Sequence, residues 1–248
     1  MTSVEKPAGS PPEQKPELFL IPNRISDADA ELFFSAGWRR QISHIRYFIV
    51  EDVRSARRFL SALKIFPPMD ELTFSELNVQ TPSSALPSLM KPLHQGHPMG
   101  VISESGCPGV ADPGAWAVAY AHDHGIAVRP LTGPSSIILA LMASGMNGQR
   151  FSFNGYLPID ARERLREIQR LEKISTAQQA TQVFIESPHR NARLLETLLG
   201  TLSPNTRLAV AVDLTGESER IVSLPVRQWK ARPVEALPKL PCIFLFQA

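Results

Sequence analysis

The chain has 248 residues, 43% of them hydrophobic and 20% charged, and its formal net charge of +2 permits a nucleic-acid partner without requiring one. Its two cysteines, Cys107 and Cys242, lie far apart with no CxxC motif, so we expect reduced thiols in a cytoplasmic protein and neither a disulfide framework nor a zinc site. No stretch approaches the length of a membrane span.

Strand and helix patterns alternate along the chain after a polar, proline-rich segment over 1–16, which predicts a disordered tail. The predicted strands are 17–21, 44–50, 72–77, 99–103, 126–131, 150–157, 181–186, 207–214, 220–226 and 242–247. The predicted helices are 27–38, 53–64, a broken helix over 83–95, 112–124, 135–144, 161–173 and 189–202.

This order of elements predicts an α/β protein with two lobes. The βαβα rhythm of the first half predicts a mainly parallel sheet, and the short run 219–224 predicts antiparallel pairing in the second half. We place an N-terminal α/β lobe over 17–132 and a C-terminal α/β lobe over 133–248. Because a cleft between such lobes is a common place for a small ligand, we expect the site there.

Two loops rich in glycine and proline follow predicted strands. The stretch 101–114 (VISESGCPGVADPG) contains three glycines, and Asp112 and Pro113 suit the N-cap and the first position of a helix. The stretch 131–136 (LTGPSS) follows the next strand and also opens a helix. Each loop alone is also consistent with an ordinary turn, but two loops at the carboxyl ends of strands indicate a ligand site.

These stretches, followed by FSFNGYLP and VFIESPHR, make the chain similar to the tetrapyrrole (corrin/porphyrin) methylase superfamily. VEDVR over 50–54 and AVDLTG over 211–216 match two further motifs of the branch that 2′-O-methylates a cytidine ribose in 16S ribosomal RNA. The matches occur in order over roughly 45–220, and several ordered motifs are more specific than one glycine loop. The resemblance implies two α/β lobes, S-adenosyl-L-methionine as the cofactor and a homodimer.

Two segments depart from the family pattern near the expected site. The family's first strand leads into a glycine-containing loop, whereas residues 21–25 read IPNRI without a glycine. The family's Asp-Ala-Gly-Thr-Pro is replaced by ESGCP over 104–108. Two other functions therefore stay open: methylation of a small, tetrapyrrole-like heterocycle, and a non-catalytic member that only binds the cofactor or the ribosome.

The resemblance also implies which residues border the cofactor. The contacts with the cofactor would come from loop backbone, from hydroxyl groups at a helix start, from the end of the FSFNGYLP strand and from apolar residues of AVDLTG. Two of these residues, Ser135 and Ser136, could instead simply cap the helix. The implied cofactor-binding residues are Glu104, Ser105, Gly106, Cys107, Ser135, Ser136, Asn154, Gly155, Tyr156, Ala211, Val212 and Leu214.

A ribose hydroxyl is a poor nucleophile, so a general base or a charged hydrogen-bond partner would assist methyl transfer. We expect Glu51, Asp52 and His189 to be the catalytic residues, with Glu104 and Glu186 as further candidates; Asp52 could instead simply cap a helix. The predicted substrate-binding residues are Arg54, Arg162, Arg166, Arg170 and Arg190.

Three of these arginines share one side of the helix over 161–173, where a solvated, salt-bridged face is the alternative to an RNA contact. The partners we expect are ribosomal RNA or the small ribosomal subunit and a second copy of the chain. Phe33, Phe34, Trp38 and the apolar run 137–142 are predicted to provide exposed surface for the dimer. No cluster has metal-ligand spacing, so we expect no metal.

Overall fold

The computed structural model describes residues 16–27, 30–231 and 237–248, and the predicted tail lies outside them except for Pro16. The chain divides into two compact units. The first unit holds the described residues up to Pro22 together with Phe34–Thr132, and the second holds the described residues of 23–33 and 133–248. The described residues of 23–33, which the prediction left in the N-terminal lobe, therefore belong to the second unit.

The first unit is built on a five-stranded sheet in the order β3-β2-β4-β1-β5. All of its strand pairs are parallel, which confirms the mainly parallel sheet predicted for the first half of the chain. Its strands are β1 (Glu17–Ile21), β2 (Tyr47–Val50), β3 (Thr73–Glu76), β4 (Met99–Ile102) and β5 (Ala127–Pro130). Its helices are α1 (Ala36–Ile42), α2 (Val53–Leu63), α3 (Leu86–Leu89), α4 (Lys91–His94) and α5 (Gly114–Asp123). All strands end at the same edge, and the chain order reverses around β4 and β1, which is where such sheets bind ligands.

Gly100 in β4 lets side chains of the two neighbouring strands pack over the middle of this sheet. A Cβ atom at Gly100 would lie 2.6 Å from Cδ1 of Ile21 and 2.9 Å from Cδ1 of Phe48. Both of these side chains are fully buried. Their packing requires a residue without a side chain on β4, directly below the loop that follows this strand.

The predicted helix over 27–38 is wrong. The structure has a single 3-10 turn over Ala30–Leu32, and α1 begins only after Ser35, whose Oγ accepts a hydrogen bond from the Trp38 N–H at 3.3 Å. Phe34 and Trp38, predicted to be exposed, are 0% and 6% exposed. Their burial in the first unit removes them from any interface with another molecule.

The second unit contains a mixed sheet in the order β6-β7-β10-β8-β9. Its strands are β6 (Phe151–Tyr156), β7 (Thr181–Glu186), β8 (Arg207–Val212), β9 (Arg220–Pro225) and β10 (Cys242–Gln247). Its helices are α6 (Ser136–Ser144), α7 (Ala161–Gln178), α8 (Asn191–Thr201) and α9 (Val226–Lys230). Only β6 and β7 are parallel; the predicted antiparallel pairing is confirmed for β8 with β9.

Apolar clusters cover both faces of this second sheet. Ile168 of α7, Leu198 of α8 and Phe244 of β10 belong to one cluster, and Leu141 of α6 packs with Ala211 of β8 in the other. Helix α7 runs five residues beyond its predicted end at residue 173. Within the residues that the structure describes, no helix is long and apolar enough to cross a membrane.

Candidate active site

The loop after β4 is fixed at its start by Ser103, which is buried. Its hydroxyl lies within hydrogen-bonding distance of the carbonyl oxygens of Ser105, at 3.2 Å, and Gly106, at 3.1 Å. Gly106 has a φ of +71°, a backbone conformation that favours glycine. These contacts therefore fix the conformation of the exposed part of the loop.

Asp112 fixes the second half of the same loop. Its Oδ2 accepts a hydrogen bond from the Gly109 N–H at 2.7 Å, and its Oδ1 accepts one from the Gly114 N–H at 2.6 Å. The predicted helix start is corrected here, because α5 begins at Gly114 with Pro113 as the N-cap. Asp112 thus holds the loop together rather than acting as the cap residue. Glycines three residues before it and two residues after it were the sequence signal for this role.

Three carboxylates surround this loop. The Glu104 N–H donates to Glu51 Oε2 at 3.5 Å. Burial raises the pKa of Glu51, the hydrogen bond from Glu104 partly offsets that rise, and the charges of Glu104 and Asp112 add to it. Burial also raises the pKa of Asp112, and burial together with Asp112 raises the pKa of the Cys107 thiol. Glu51, which follows β2, is therefore a half-buried carboxyl group beside a loop that carries the carboxyl groups of Glu104 and Asp112.

Asp52 and Arg54 are placed differently from Glu51. Asp52 is the N-cap of α2, and its Oδ1 accepts the Ser55 N–H at 2.6 Å. The capping alternative is therefore observed, and it leaves Glu51 as the carboxylate of this pair that faces the loop after β4. Arg54 is exposed on the first turn of α2.

Ser135 is the N-cap of α6, and its Oγ accepts the Ile138 N–H at 3.5 Å. Ser136 is the first residue of that helix. Both serines are half-buried at the helix start, where N–H groups without a partner inside the helix favour an anionic group. The contact of these serines with the cofactor stays a prediction.

The end of β6 places its three predicted residues in different settings. The Asn154 Nδ2 donates to the carbonyl oxygens of Ser152 at 3.1 Å and Val183 at 3.4 Å, so this amide is used within the sheet. Gly155 has a φ of +63°, and no heavy atom lies within 4 Å of a Cβ built there. Tyr156 is 61% exposed. Its ring is the accessible group at this end of the strand.

The apolar residues predicted on β8 do not share one face. Ala211 and Leu214 pack in the cluster that contains α6, whereas Val212 packs in the opposite cluster with Trp229. All three predicted residues are buried. Alternate residues of a strand face opposite sides, which places Val212 on the other face of the sheet from Ala211. The cofactor contact of these three residues stays a prediction.

Arg190 is engaged by a buried carboxylate at the end of β7. Glu186 Oε1 accepts the Arg190 Nε at 2.8 Å and Nη2 at 2.5 Å, and also the Ser187 N–H at 2.6 Å. Helix α8 begins at Asn191, two residues later than predicted, and leaves His189 exposed in the preceding turn. Arg190 therefore stabilises this turn through its hydrogen bonds to Glu186, while the His189 side chain is exposed to solvent.

The arginines of α7 separate into two groups. Arg162 and Arg166 are exposed, and so is Arg170, but Arg170 donates two hydrogen bonds to Glu167, at 2.7 and 2.6 Å. These hydrogen bonds lower the pKa of Glu167. The salt-bridged alternative therefore holds for Arg170.

Arg164 is a buried arginine that the sequence reasoning missed. Its Nη1 donates to the carbonyl oxygens of Pro158 at 3.4 Å and Ile159 at 3.2 Å. Arg164 lies on the apolar side of α7, six residues after Pro158, and helical spacing was the only sequence feature that indicated its burial. Among the described residues, no three His, Cys, Asp or Glu side chains are arranged to hold a metal ion.

Comparisons with known proteins agree with this architecture. The family model of the Tetrapyrrole (Corrin/Porphyrin) Methylases matches residues 43–229. A relative from Vibrio cholerae, named ribosomal RNA small subunit methyltransferase I, is 28% identical over 88% of this chain and 71% of its own length. One of the same name from Pseudomonas aeruginosa is 30% identical over 85% of this chain and 71% of its own length. The chain spans only 45% of another relative with that name.

A solved structure shows the same fold. Uroporphyrin-III C-methyl transferase from Thermus thermophilus, complexed with S-adenosyl homocysteine, aligns with a TM-score of 0.51 at 16% identity, over 93% of this chain and 97% of that chain. The two share the two-lobed α/β fold, and the family model and the names of the relatives give the class of enzyme, a methyltransferase. The chain belongs to the tetrapyrrole (corrin/porphyrin) methylases. The predicted family, fold class and enzyme class are confirmed, as is S-adenosyl-L-methionine as the cofactor of that class.

Replacing Gly106 by Ala tests whether the loop after β4 binds the cofactor. A side chain on backbone with a φ of +71° strains the loop by about 1–2 kcal/mol, so we expect the affinity for S-adenosyl-L-methionine to fall roughly tenfold in calorimetry. Gly125→Ala is the matched control, because Gly125 has a φ of +66° and lies after α5 at the opposite edge of the sheet. Equal affinities of the two variants would contradict a role of the loop in binding.

Proposed function

We propose that this chain transfers a methyl group from S-adenosyl-L-methionine to the 2′-hydroxyl of a cytidine ribose in small-subunit ribosomal RNA. The names of the curated relatives support an RNA substrate over a small heterocycle. The motifs VEDVR and ESPHR support the ribose-methylating branch. The observation that carries the proposal is the half-buried Glu51 beside the loop after β4.

The residues of the first unit fit the proposed cofactor. S-adenosyl-L-methionine supplies, when bound, an electrophilic methyl group on a positively charged sulfonium, and it also carries an ammonium group. Glu51 and Glu104 give the loop after β4 the negative charge that complements both cations. The backbone from Ser105 to Cys107, bent at Gly106, offers peptide groups at close approach. Glu104, Ser105, Gly106 and Cys107 would hold the cofactor.

Glu51 has the properties of a general base for this reaction. As the ribose oxygen bonds to the methyl carbon and the carbon–sulfur bond breaks, the Glu51 carboxylate would accept the hydroxyl proton. Its raised pKa makes it a stronger base than an exposed carboxylate. The Glu104 N–H on its Oε2 keeps the carboxylate oriented. His189, exposed after β7 in the second unit, is proposed as a further contact to the RNA.

Methyl transfer from labelled cofactor to naked small ribosomal subunits tests the proposed substrate directly. We expect label in the RNA, and nuclease digestion followed by mass spectrometry should locate it on a cytidine ribose. Label found only in a small heterocycle offered in parallel would favour the other methylase class. Cofactor binding without any transfer would favour the non-catalytic member.

Glu51→Gln should slow methyl transfer and stabilise the protein at neutral pH. General bases contribute about 10²–10⁴-fold in rate, so we expect a loss of that order in kcat. Because the pKa of Glu51 is raised in the folded state, the folded protein loses stability as the pH rises above 4.5 and Glu51 ionises. The amide of the Glu51→Gln variant does not ionise, so the Tm of this variant at pH 7 should be higher than that of the wild-type chain.

Glu76→Gln is the matched control for this substitution, since Glu76 is an exposed carboxylate at the end of the neighbouring strand β3. It should leave both the rate and Tm unchanged. A Glu51→Gln enzyme with the wild-type rate would remove Glu51 from the mechanism.

We also propose that Arg54, Arg190 and the α7 arginines lie near bound RNA, with Arg162 and Arg166 as direct phosphate contacts. Arg162→Gln combined with Arg166→Gln should weaken RNA binding and reduce the salt dependence by about 0.7 in slope per lost contact. Calorimetry should show unchanged cofactor affinity. Arg170→Gln is the control, because Arg170 is held by Glu167. An equal effect of all three substitutions would contradict the assignment.

The homodimer is likewise a proposal, and exposed apolar residues of α6 support it. Ile138 and Met142 lie four residues apart on this helix and both are exposed. Multi-angle light scattering at micromolar concentration should give twice the chain mass. Met142→Glu should shift that mass toward the monomer, and a monomer mass for the wild-type chain would refute the proposal.

A further inference from the structure

We infer that Tyr156, Ile159 and the outward-facing cations of α7 form a surface for a single-stranded RNA segment, with one unpaired base stacked on the Tyr156 ring. The inference rests on the proposed RNA substrate and deepens it. It assigns Tyr156 to the RNA, in contrast to the cofactor contact that the family resemblance implies. All residues of this surface belong to the second unit.

The first observation is the exposure of two large side chains of the second unit. Tyr156 is 61% exposed and Ile159 is 76% exposed. Tyr156 ends β6, which is an edge strand of its sheet. The residue before Tyr156 is Gly155, which adds no side chain of its own at this end of the strand.

The second observation is that the connection between these two side chains is fixed. Leu157 is buried in the core, and the buried Arg164 donates to the carbonyl oxygens of Pro158 and Ile159. Asp160 caps α7 through the N–H groups of its first turn. A ligand therefore meets a surface that is already ordered, and little conformational entropy is lost on binding.

The third observation is the orientation of the charges on α7. Arg162, Arg166 and Lys173 are exposed on the side opposite the buried residues Ile168 and Leu171. Successive residues of a helix rise by 1.5 Å, so these three cations extend over roughly 16 Å of its axis. Phosphates of an extended strand can contact such a row in succession.

The acidic residues of α7 are mostly directed away from this row. Glu167 is held by Arg170, and Glu172 Oε1 accepts hydrogen bonds from the Ser203 N–H at 2.8 Å and the Thr206 hydroxyl at 2.5 Å. Two acidic groups remain near the start of the row. Glu163 is exposed, and Asp160 accepts hydrogen bonds from the helix N–H groups while its pKa is lowered first by them and then by nearby arginines. The surface is therefore positive along most of its length.

These features fit an unpaired strand better than a duplex. A base can stack on an aromatic ring only when it is unstacked from its neighbours, and proteins that bind single-stranded RNA use this contact. Tyr156 and Ile159 are three residues apart, at most about 10 Å between their Cα atoms, and Arg162 follows after three more. Ring and cations thus lie within the span of a few nucleotides.

The test compares Tyr156→Ala with Tyr156→Phe and with Phe151→Ala, a matched control for a partly exposed ring at the other end of the same strand. Fluorescence anisotropy would follow a labelled RNA of about twelve nucleotides of mixed sequence, both single-stranded and paired with its complement. Calorimetry would measure the affinity of each variant for S-adenosyl-L-methionine.

We expect Tyr156→Ala to weaken binding of the single strand by about tenfold or more, while Tyr156→Phe and Phe151→Ala bind normally and cofactor affinity stays unchanged. Equal binding of the single strand by Tyr156→Ala and the wild-type chain would overturn the inference. So would a loss confined to the cofactor, which would return Tyr156 to the cofactor site. If the wild-type chain fails to methylate small-subunit RNA while Tyr156→Ala still loses the single strand, the proposed function fails and the surface stands.

Discussion

The carboxylate of Asp112 is the constraint on which the candidate active site depends. One side chain accepts an N–H group from each end of the segment 109–114, so a loop with little regular structure becomes a closed ring of hydrogen bonds. Its burial disfavours the charged form, and the two N–H groups offset part of that cost. The backbone that would meet a ligand is therefore arranged before any ligand arrives, and binding loses less entropy.

The position of this ring follows from the sheet below it. The strands of the first unit are all parallel, so their carboxyl ends meet at one edge. Gly100 lets the central strand lie tightly under Ile21 and Phe48. The loop after β4 rises directly from that strand. Glu51 is brought beside it because β2 pairs with β4 in register, Val50 opposite Ile102. The carboxylate and the loop, 53 residues apart in sequence, meet through backbone pairing alone.

The hydrophobic periodicity of the sequence predicted those helices and strands whose local propensity agrees with their place in the fold. The strands at 17–21, 181–186 and 242–247 have the observed bounds, because apolar runs end there at polar or proline residues. The helix over 27–38 failed because Ser35 starts a new helix, and because Phe34 is buried in a different unit from the residues before it. Spacing alone does not distinguish such a junction from a continuous helix.

The sequence predicted which loops form the candidate site but not the role of each residue in them. Family resemblance located the loop after β4 and the Glu51–Asp52 pair, yet only the coordinates show that Asp52 caps α2 while Glu51 faces the loop. Likewise, the charges of α7 look mixed in sequence. The partners of Glu167 and Glu172 come from a neighbouring turn and from a distant loop, and the sequence does not give side-chain direction.

The irregular end of β6 also affects how the protein behaves at high concentration. An edge strand exposes backbone N–H and C=O groups that can pair with the edge of another molecule and begin aggregation. In β6 the regular register runs from Phe151 to Phe153 and shifts before Tyr156, around the positive φ of Gly155. The shift leaves too short a regular stretch for a foreign strand to extend the sheet. The irregular backbone around Gly155 therefore disfavours self-association through this edge.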